Sequence, residues 1–240
     1  MFVSTAIFLM IFTALPFAFS STSEYDVSTP VTRVIPTVSS PSSAMDLLYD
    51  SLDLQDAGLS KKAFDYAIKG FQKLKSNGKI SNSRVISIAD FSKPSTEKRL
   101  FVIDLNNYKL LFKTYVAHGQ NTGREYAKAF SNKPESFQSS LGFYVTSGTY
   151  IGKNGFSMQL DGVEYGINHN AEERAIVMHG APYVSESFIH NMGYLGRSHG
   201  CPAVPEKLNK PIIDKIKNGS CFFIYSDNST YLSNSRLLHT

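Results

Sequence analysis

Between Arg174 and Pro205 the chain reads RAIVMHGAPYVSESFIHNMGYLGRSHGCPAVP, and this stretch carries His179, His190, His199 and Cys201. A free cysteine titrates near ~8.5 and stays mostly protonated at neutral pH, so a nucleophilic thiol needs an imidazole to take its proton. His199 is too close along the chain to reach the sulfur of Cys201 in good geometry. His179, 22 residues upstream (201 − 179), can return on a neighbouring strand and face the thiol, and is the expected base. Gly200 lets the backbone approach a substrate closely, and the amides of Gly200 and Cys201 are candidate donors to a developing oxyanion. The rival chemistry for the same residue types is a zinc site made of His179, His190, His199 and Cys201, although their spacings follow no helical or knuckle pattern.

The elements that must position these groups can be read around them. The apolar run Ala175-Ile176-Val177-Met178 predicts a buried strand with His179 at its end, and Ser198-His199-Gly200-Cys201 predicts a polar turn. A period of two over Arg84 to Ala89, Leu100 to Leu105 and Lys109 to Ala117 predicts strands, the last two joined as a hairpin across Asn106-Asn107. Gly119 to Ser140 has no clear period, Leu141 to Val145 resumes a strand, and Asn154-Gly155 and Asp161-Gly162 mark tight turns. Ser220 to Tyr225 is the closing strand. Helical spacing of Phe64, Ala67, Ile68, Phe71 and Leu74 predicts a helix from Ser60 to Lys75, capped by Ser60, with a shorter one over Ala44 to Leu54. A further helix is expected from Asn209 to Lys217, where Pro211 fits only the first turn. Beyond Asp227 the polar tail is expected to fray.

Composition narrows the classes. A 240-residue chain with 42% hydrophobic residues can bury one sizeable core, and its net charge of +4 comes with scattered lysines rather than a basic stripe. No nucleic-acid partner is implied. Met1 to Ser20 is apolar and ends in Ala18-Phe19-Ser20, a small-x-small cleavage site, so it reads as an export signal. No Lys or Arg precedes Arg33, and an uncleaved anchor is the alternative, although Pro16 breaks the run. Two cysteines in an exported chain also admit a Cys201 to Cys221 disulfide, while Cys221 within Cys221-Phe222-Phe223-Ile224-Tyr225 reads as a buried apolar thiol.

With His179 followed by Ser198-His199-Gly200-Cys201, and with His179-Gly180-Ala181-Pro182-Tyr183 around the histidine, the chain resembles the L,D-transpeptidases of bacterial peptidoglycan, the YkuD-like family, from about Arg99 to Asp227. The Cys201-Pro202-Ala203-Val204-Pro205 version resembles a divergent branch, the murein L,D-transpeptidase catalytic domain. Most members carry an aliphatic residue and then Arg or Asn after the cysteine, where this chain has Pro202-Ala203; Arg197 is a candidate for the missing positive charge. The resemblance implies a mainly β fold, a β-sandwich with two or three helices preceded by a short helical segment. On that basis the chain divides into a signal peptide (1–20), a flexible linker (21–43), a helical segment (44–80), a catalytic domain (81–227) and a tail (228–240).

The resemblance also implies roles. Cys201 attacks a peptidoglycan stem peptide next to D-alanine, His179 is its base with the Gly180 carbonyl orienting the ring, and His199 lines the site. Ser198, Arg197, Tyr183 and Tyr194 are candidate substrate contacts, as is Asn191. The thioester is resolved by an amine, giving a transpeptidase, or by water, giving an L,D-carboxypeptidase. No cofactor or metal is implied, and the expected form is an exported monomer of the periplasm or cell envelope with no membrane span after cleavage. An inactive wall-binding protein keeping the fold is the remaining alternative. His118 and His239 read as packed or solvated histidines, and His169, in the turn Asn168-His169-Asn170, reads as structural, with an approach to the site as the alternative.

Overall fold

The computed structural model describes residues 41–239; the expected signal peptide and all but the end of the expected linker lie outside the described residues. Two helices come first, α1 (Pro41–Ser51) and α2 (Lys61–Ser76). Ser60 caps α2 by accepting from the Ala63 amide, and Phe64, Ala67, Ile68, Phe71 and Leu74 form its buried stripe, as their spacing predicts. Among the described residues no helix is long and apolar enough to cross a membrane.

Eight strands follow: β1 (Val85–Asp90), β2 (Leu100–Asp104), β3 (Lys109–Thr114), β4 (Gly142–Gly152), β5 (Gly155–Gly162), β6 (Val177–Gly180), β7 (Ala203–Val204) and β8 (Cys221–Tyr225). They lie in the order β3-β2-β1-β8-β4-β5-β6-β7, with parallel pairing only at β1–β8 and β6–β7. Ala117, just beyond β3, bridges Ala203 of β7, so the two ends of the sheet meet and the sheet curls into a barrel-like form. The mainly β expectation therefore holds. β1, β2 and β8 are buried along their whole length, so for β1 and β2 the expected period of two is corrected: both faces are covered and neither alternates between core and solvent.

Three further helices stand among or after these strands: α3 (Glu186–Met192), α4 (Glu206–Ile216) and α5 (Ser229–Asn234). α3 interrupts the loop between His179 and Ser198, where no helix was expected; Ser185 caps its start and Gly193 its end. α4 starts at Glu206, ahead of the expected Asn209, so Pro211 falls inside the helix rather than in its first turn. Lacking an N–H, Pro211 leaves the Lys207 carbonyl without its helical donor. Ile212, Ile213 and Ile216 still bury one face and hold the helix in place.

Two other expectations are corrected. Asp161 and Gly162 continue β5, paired with Val145 and Tyr144, and the chain turns afterwards at Glu164 to Asn168. Gly162 serves a close approach instead of a turn, because a Cβ there would lie 1.9 Å from the Asn168 carbonyl oxygen. The tail does not fray. Tyr231, Ser235 and Leu238 are buried, and the Glu164 carboxylate accepts from Tyr231 Oη (3.1 Å), from Ser235 Oγ and from the Phe143 amide (2.7 Å), which ties α5 to β4.

A large core fills the space between the sheet, α2 and α4. A smaller cluster of Ala117, Ala181, Val184, Leu195 and Ala203 lies apart from it, with Tyr115, Tyr183 and Ile189 packed against it, while Cys201 packs against the large core.

Candidate active site

β6 delivers His179 as its apolar run predicts. The strand is held antiparallel to β5, with His179 opposite Ser157, and parallel to β7, with His179 opposite Ala203. Cys201 stands two residues ahead of that partner, so base and thiol arrive on neighbouring lengths of chain and line one cavity of about 570 Å³. His179 is 5% exposed, and its Nδ1 lies 2.9 Å from the Gly180 carbonyl oxygen. A carbonyl can only accept, so Nδ1 carries the proton and Nε2 keeps a free lone pair. Burial lowers the imidazole pKa, partly offset by the Gly180 bond, which keeps the ring neutral and able to take a proton.

The thiol rests against the start of β6. Val177 N–H donates to Cys201 Sγ at 3.5 Å, and Sγ–H points to the Ala175 carbonyl oxygen at 3.7 Å. Burial raises the thiol pKa; the Val177 amide, Arg174 and Lys153 pull the other way. The resting sulfur is thus protonated, with its proton turned to the backbone.

The turn before the thiol is built by its own serine. Ser198 Oγ donates to the Cys201 carbonyl (2.7 Å) and accepts from the Gly200 amide (3.0 Å), while the Ser198 backbone pairs with His118 and Gln120. Gly200 has φ 125, a backbone setting that disfavours a side chain, and a Cβ there would meet the Gln138 carbonyl at 2.8 Å. One expectation is corrected here. The Gly200 amide is occupied by Ser198 and is not available to an oxyanion, leaving the Cys201 amide, which lies against its own sulfur. Gly180 turns its carbonyl to Nδ1 of the His179 ring.

The remaining candidates divide. Tyr183, Arg197, Ser198 and His199 line the cavity together with His179 and Cys201. Tyr183 is pushed up to about 12 by burial first and by Cys201 second, so it stays a neutral phenol. His199 is exposed and its ring packs 4.5 Å from Phe137. Arg197 is anchored to the carbonyls of Gln120 (3.1 Å) and Gly123 (3.3 Å). Tyr194 does not line the cavity, because its ring is taken between the guanidinium carbons of Arg124 (4.7 Å) and Arg197 (5.5 Å). His190 and Asn191 lie exposed on α3, away from the cavity wall.

The zinc reading fails on geometry, since among the described residues no three His, Cys, Asp or Glu side chains gather into a metal-holding group. The disulfide alternative fails too: Cys201 and Cys221 are both free, Cys221 being buried in β8. His118 is fully buried, and His169 Nδ1 lies 2.9 Å from both Asn132 Nδ2 and the Gly166 amide, outside the cavity.

Sequence reasoning missed Lys153 and Asn154 at the β4–β5 turn, Glu135 and Phe137 from the stretch without period, and Arg174, all of which line the cavity. For Arg174 there was a signal, a cation directly ahead of the apolar run that carries the base.

Residues 55–225 match the family model described as L,D-transpeptidase catalytic domain. Among solved structures the chain is similar to an L,D-transpeptidase from Mycobacterium smegmatis, at 14% identity over 60% of this chain and 59% of that one with a TM-score of 0.37. It is also similar to an L,D-transpeptidase (Yku) from Stackebrandtia nassauensis, at 14% identity over 78% of each chain and TM-score 0.36. A third is the helical cell shape determining protein Pgp2 from Campylobacter jejuni, at 14% identity over 60% and 48%, TM-score 0.37. The chain spans about three fifths of the length of the first of these, 59%. Comparison with curated proteins gives no match.

Proposed function

The chain belongs to the L,D-transpeptidase catalytic domain family, and from that premise we propose that it carries out cysteine-dependent acyl transfer on peptidoglycan stem peptides. Cys201 is the nucleophile and His179 the base. The observation that carries this reading is the shared cavity of Cys201 and a neutral His179 whose Nδ1 is committed to Gly180 while Nε2 is left free.

In the proposed sequence the thiol first leaves the Ala175 carbonyl by rotating about its Cα–Cβ bond, and His179 Nε2 takes its proton. The thiolate attacks the carbonyl carbon between the L-centre and D-alanine, and the Cys201 amide is the donor left for the oxyanion. The intermediate collapses with cleavage of the C–N bond, the imidazolium returns its proton to the departing D-alanine amine, and a thioester remains on Cys201. An amine acceptor resolves the thioester to a cross-link; water resolves it to a trimmed peptide, the L,D-carboxypeptidase outcome. Tyr183, His199 and Arg197 border the cavity as substrate contacts, and Ser198 serves by holding the turn. The same reading makes the protein an exported enzyme of the cell envelope, with the apolar Met1 to Ser20 as its export signal.

The test is mass spectrometry of tetrapeptide-containing muropeptides incubated with wild-type protein and with Cys201→Ala. Loss of D-alanine is expected with the first and not the second, and equal turnover by both rejects the assignment. A carbapenem should add its mass to the protein only where Cys201 is present.

A further inference from the structure

Arg174 lines the cavity beside the Cys201 turn with a guanidinium whose hydrogen-bond acceptors are all neutral. Nη1 donates to the Ser131 carbonyl (2.8 Å) and Ser140 Oγ (3.0 Å); Nη2 donates to Ser136 Oγ (3.3 Å) and to the Gln138 carbonyl. All four acceptors belong to residues 131–140, a segment with no helix or strand of its own, which is therefore gathered around one cation. That segment in turn touches the thiol's turn. Ser139 Oγ donates to the Gly200 carbonyl at 3.0 Å, and a Cβ on Gly200 would lie 2.8 Å from the Gln138 carbonyl and 3.2 Å from Arg174 Nη2.

No ion pair joins Arg174 to a carboxylate among the described residues. The ionisable groups that bear on its charge are Tyr144, which burial pushes far above the usual range and keeps neutral, and Cys201. The other groups facing the sulfur's cavity are His179 from β6, Tyr183 just after it, Lys153 at the exposed β4–β5 turn, and Glu135, Glu173, Arg197 and His199 around the wall. Of the two cations that act on the sulfur, Lys153 rides on an exposed hairpin tip, whereas Arg174 is fixed by four bonds.

We propose that Arg174 is a positioning residue for the nucleophile: it clamps residues 131–140 against the Ser198–Cys201 turn and, as a fixed cation without a carboxylate partner, favours the Cys201 thiolate. The inference rests on the reading of Cys201 as nucleophile. Where burial raises the cost of the thiolate, a preorganised positive charge offsets part of that cost without any rearrangement when the proton leaves.

The experiment is the rate of alkylation of Cys201 by iodoacetamide as a function of pH, followed by peptide mass spectrometry on the full chain, for wild type, Arg174→Met and Arg174→Lys. The midpoint is expected to rise by about one pH unit in Arg174→Met, a roughly tenfold slower labelling at neutral pH, with Arg174→Lys recovering most of it. A purely structural brace predicts otherwise: both variants would lower the unfolding temperature, and neither would move the midpoint upward. An unchanged or lowered midpoint in Arg174→Met, or a lysine variant no better than methionine, overturns the proposal. Should Arg174→Met not fold, Arg174→Gln keeps amide donors without the charge and carries the same comparison. Alkylation needs no stem peptide, so failure of the acyl-transfer reading would appear in the muropeptide assay and leave this measurement intact.

Discussion

His118 and His179 are both buried, and both imidazoles lie below the usual histidine range chiefly because burial disfavours their charged form. Their nitrogens are used in opposite ways. At His118, Nδ1 accepts from Arg99 Nη2 at 2.7 Å, and Nε2–H is left to donate to the Gly123 carbonyl at 3.2 Å. Both nitrogens are occupied, the ring meets Phe91 edge-on, and an arginine buried at 0% exposure sits against it. At His179 only Nδ1 is bonded, and the ring borders an open cavity. The difference teaches that burial and a lowered pKa do not by themselves make a base. A free lone pair facing a space where substrate can enter does. His118 is a strut instead: Arg99 also binds the Val116 and Lys93 carbonyls, and the His118 carbonyl accepts from Ser198, so the strut ends at the nucleophile turn.

The sharpest way to break the comparison is to remove each ring in turn. His179→Asn is expected to lower kcat/KM for D-alanine release by about 10³-fold, the usual worth of a general base, with the unfolding midpoint little changed. A mutant that kept near-wild-type turnover would place the base elsewhere. His118→Ala should do the reverse. It empties the space of a fully buried ring and removes one partner each from Arg99 Nη2, which keeps the Val116 carbonyl, and from the Gly123 carbonyl, which keeps Arg197, and is expected to destabilise the fold by about 2–4 kcal/mol in urea unfolding. Turnover measured where the variant is folded should stay close to wild type; a large loss of kcat in fully folded protein would move His118 from strut to site.

Why one imidazole was legible and the other was not follows from where their partners lie. His179 closes its own apolar run, its ring bonds to the next residue, and its strand was visible from that run alone, so local sequence carried most of its geometry. His118 takes its meaning from Arg99, 19 residues earlier, and from Ser198 on the other edge of the closed sheet, neither of which any period in the sequence connects to it. The same reason hid Arg174, whose acceptors come from the stretch without period, and the occupied Gly200 amide, which depends on which way the Ser198 hydroxyl points. The tail looked free because its polar residues have their partner in Glu164, 71 residues before Ser235. Conversely, the α2 stripe and the Asn154-Gly155 turn were legible since each is settled by contacts within a few residues or by a repeating burial pattern.

A smaller effect separates the two rings by protons. The pKa of His118 is lowered from 6.5 to about 3 in the folded chain, so on falling below pH 6.5 the unfolded chain takes up a proton that the folded one refuses. The stability contributed by this neutral ring is therefore complete above about 6.5 and is lost as pH falls toward 3, with a slope of at most about 1.4 kcal/mol per pH unit for one proton. His179, also lowered, adds in the same sense. The buried carboxyls of Asp90 and Glu164, raised chiefly by burial, oppose it, since their protonation favours the fold as pH drops. The informative quantity is therefore the difference in slope between wild type and His118→Asn across pH 4 to 6, measured by urea unfolding. The variant should lose up to one proton's worth of slope. Parallel curves would mean that His118 titrates alike in both states, and the contrast with His179 would then rest on hydrogen bonding alone.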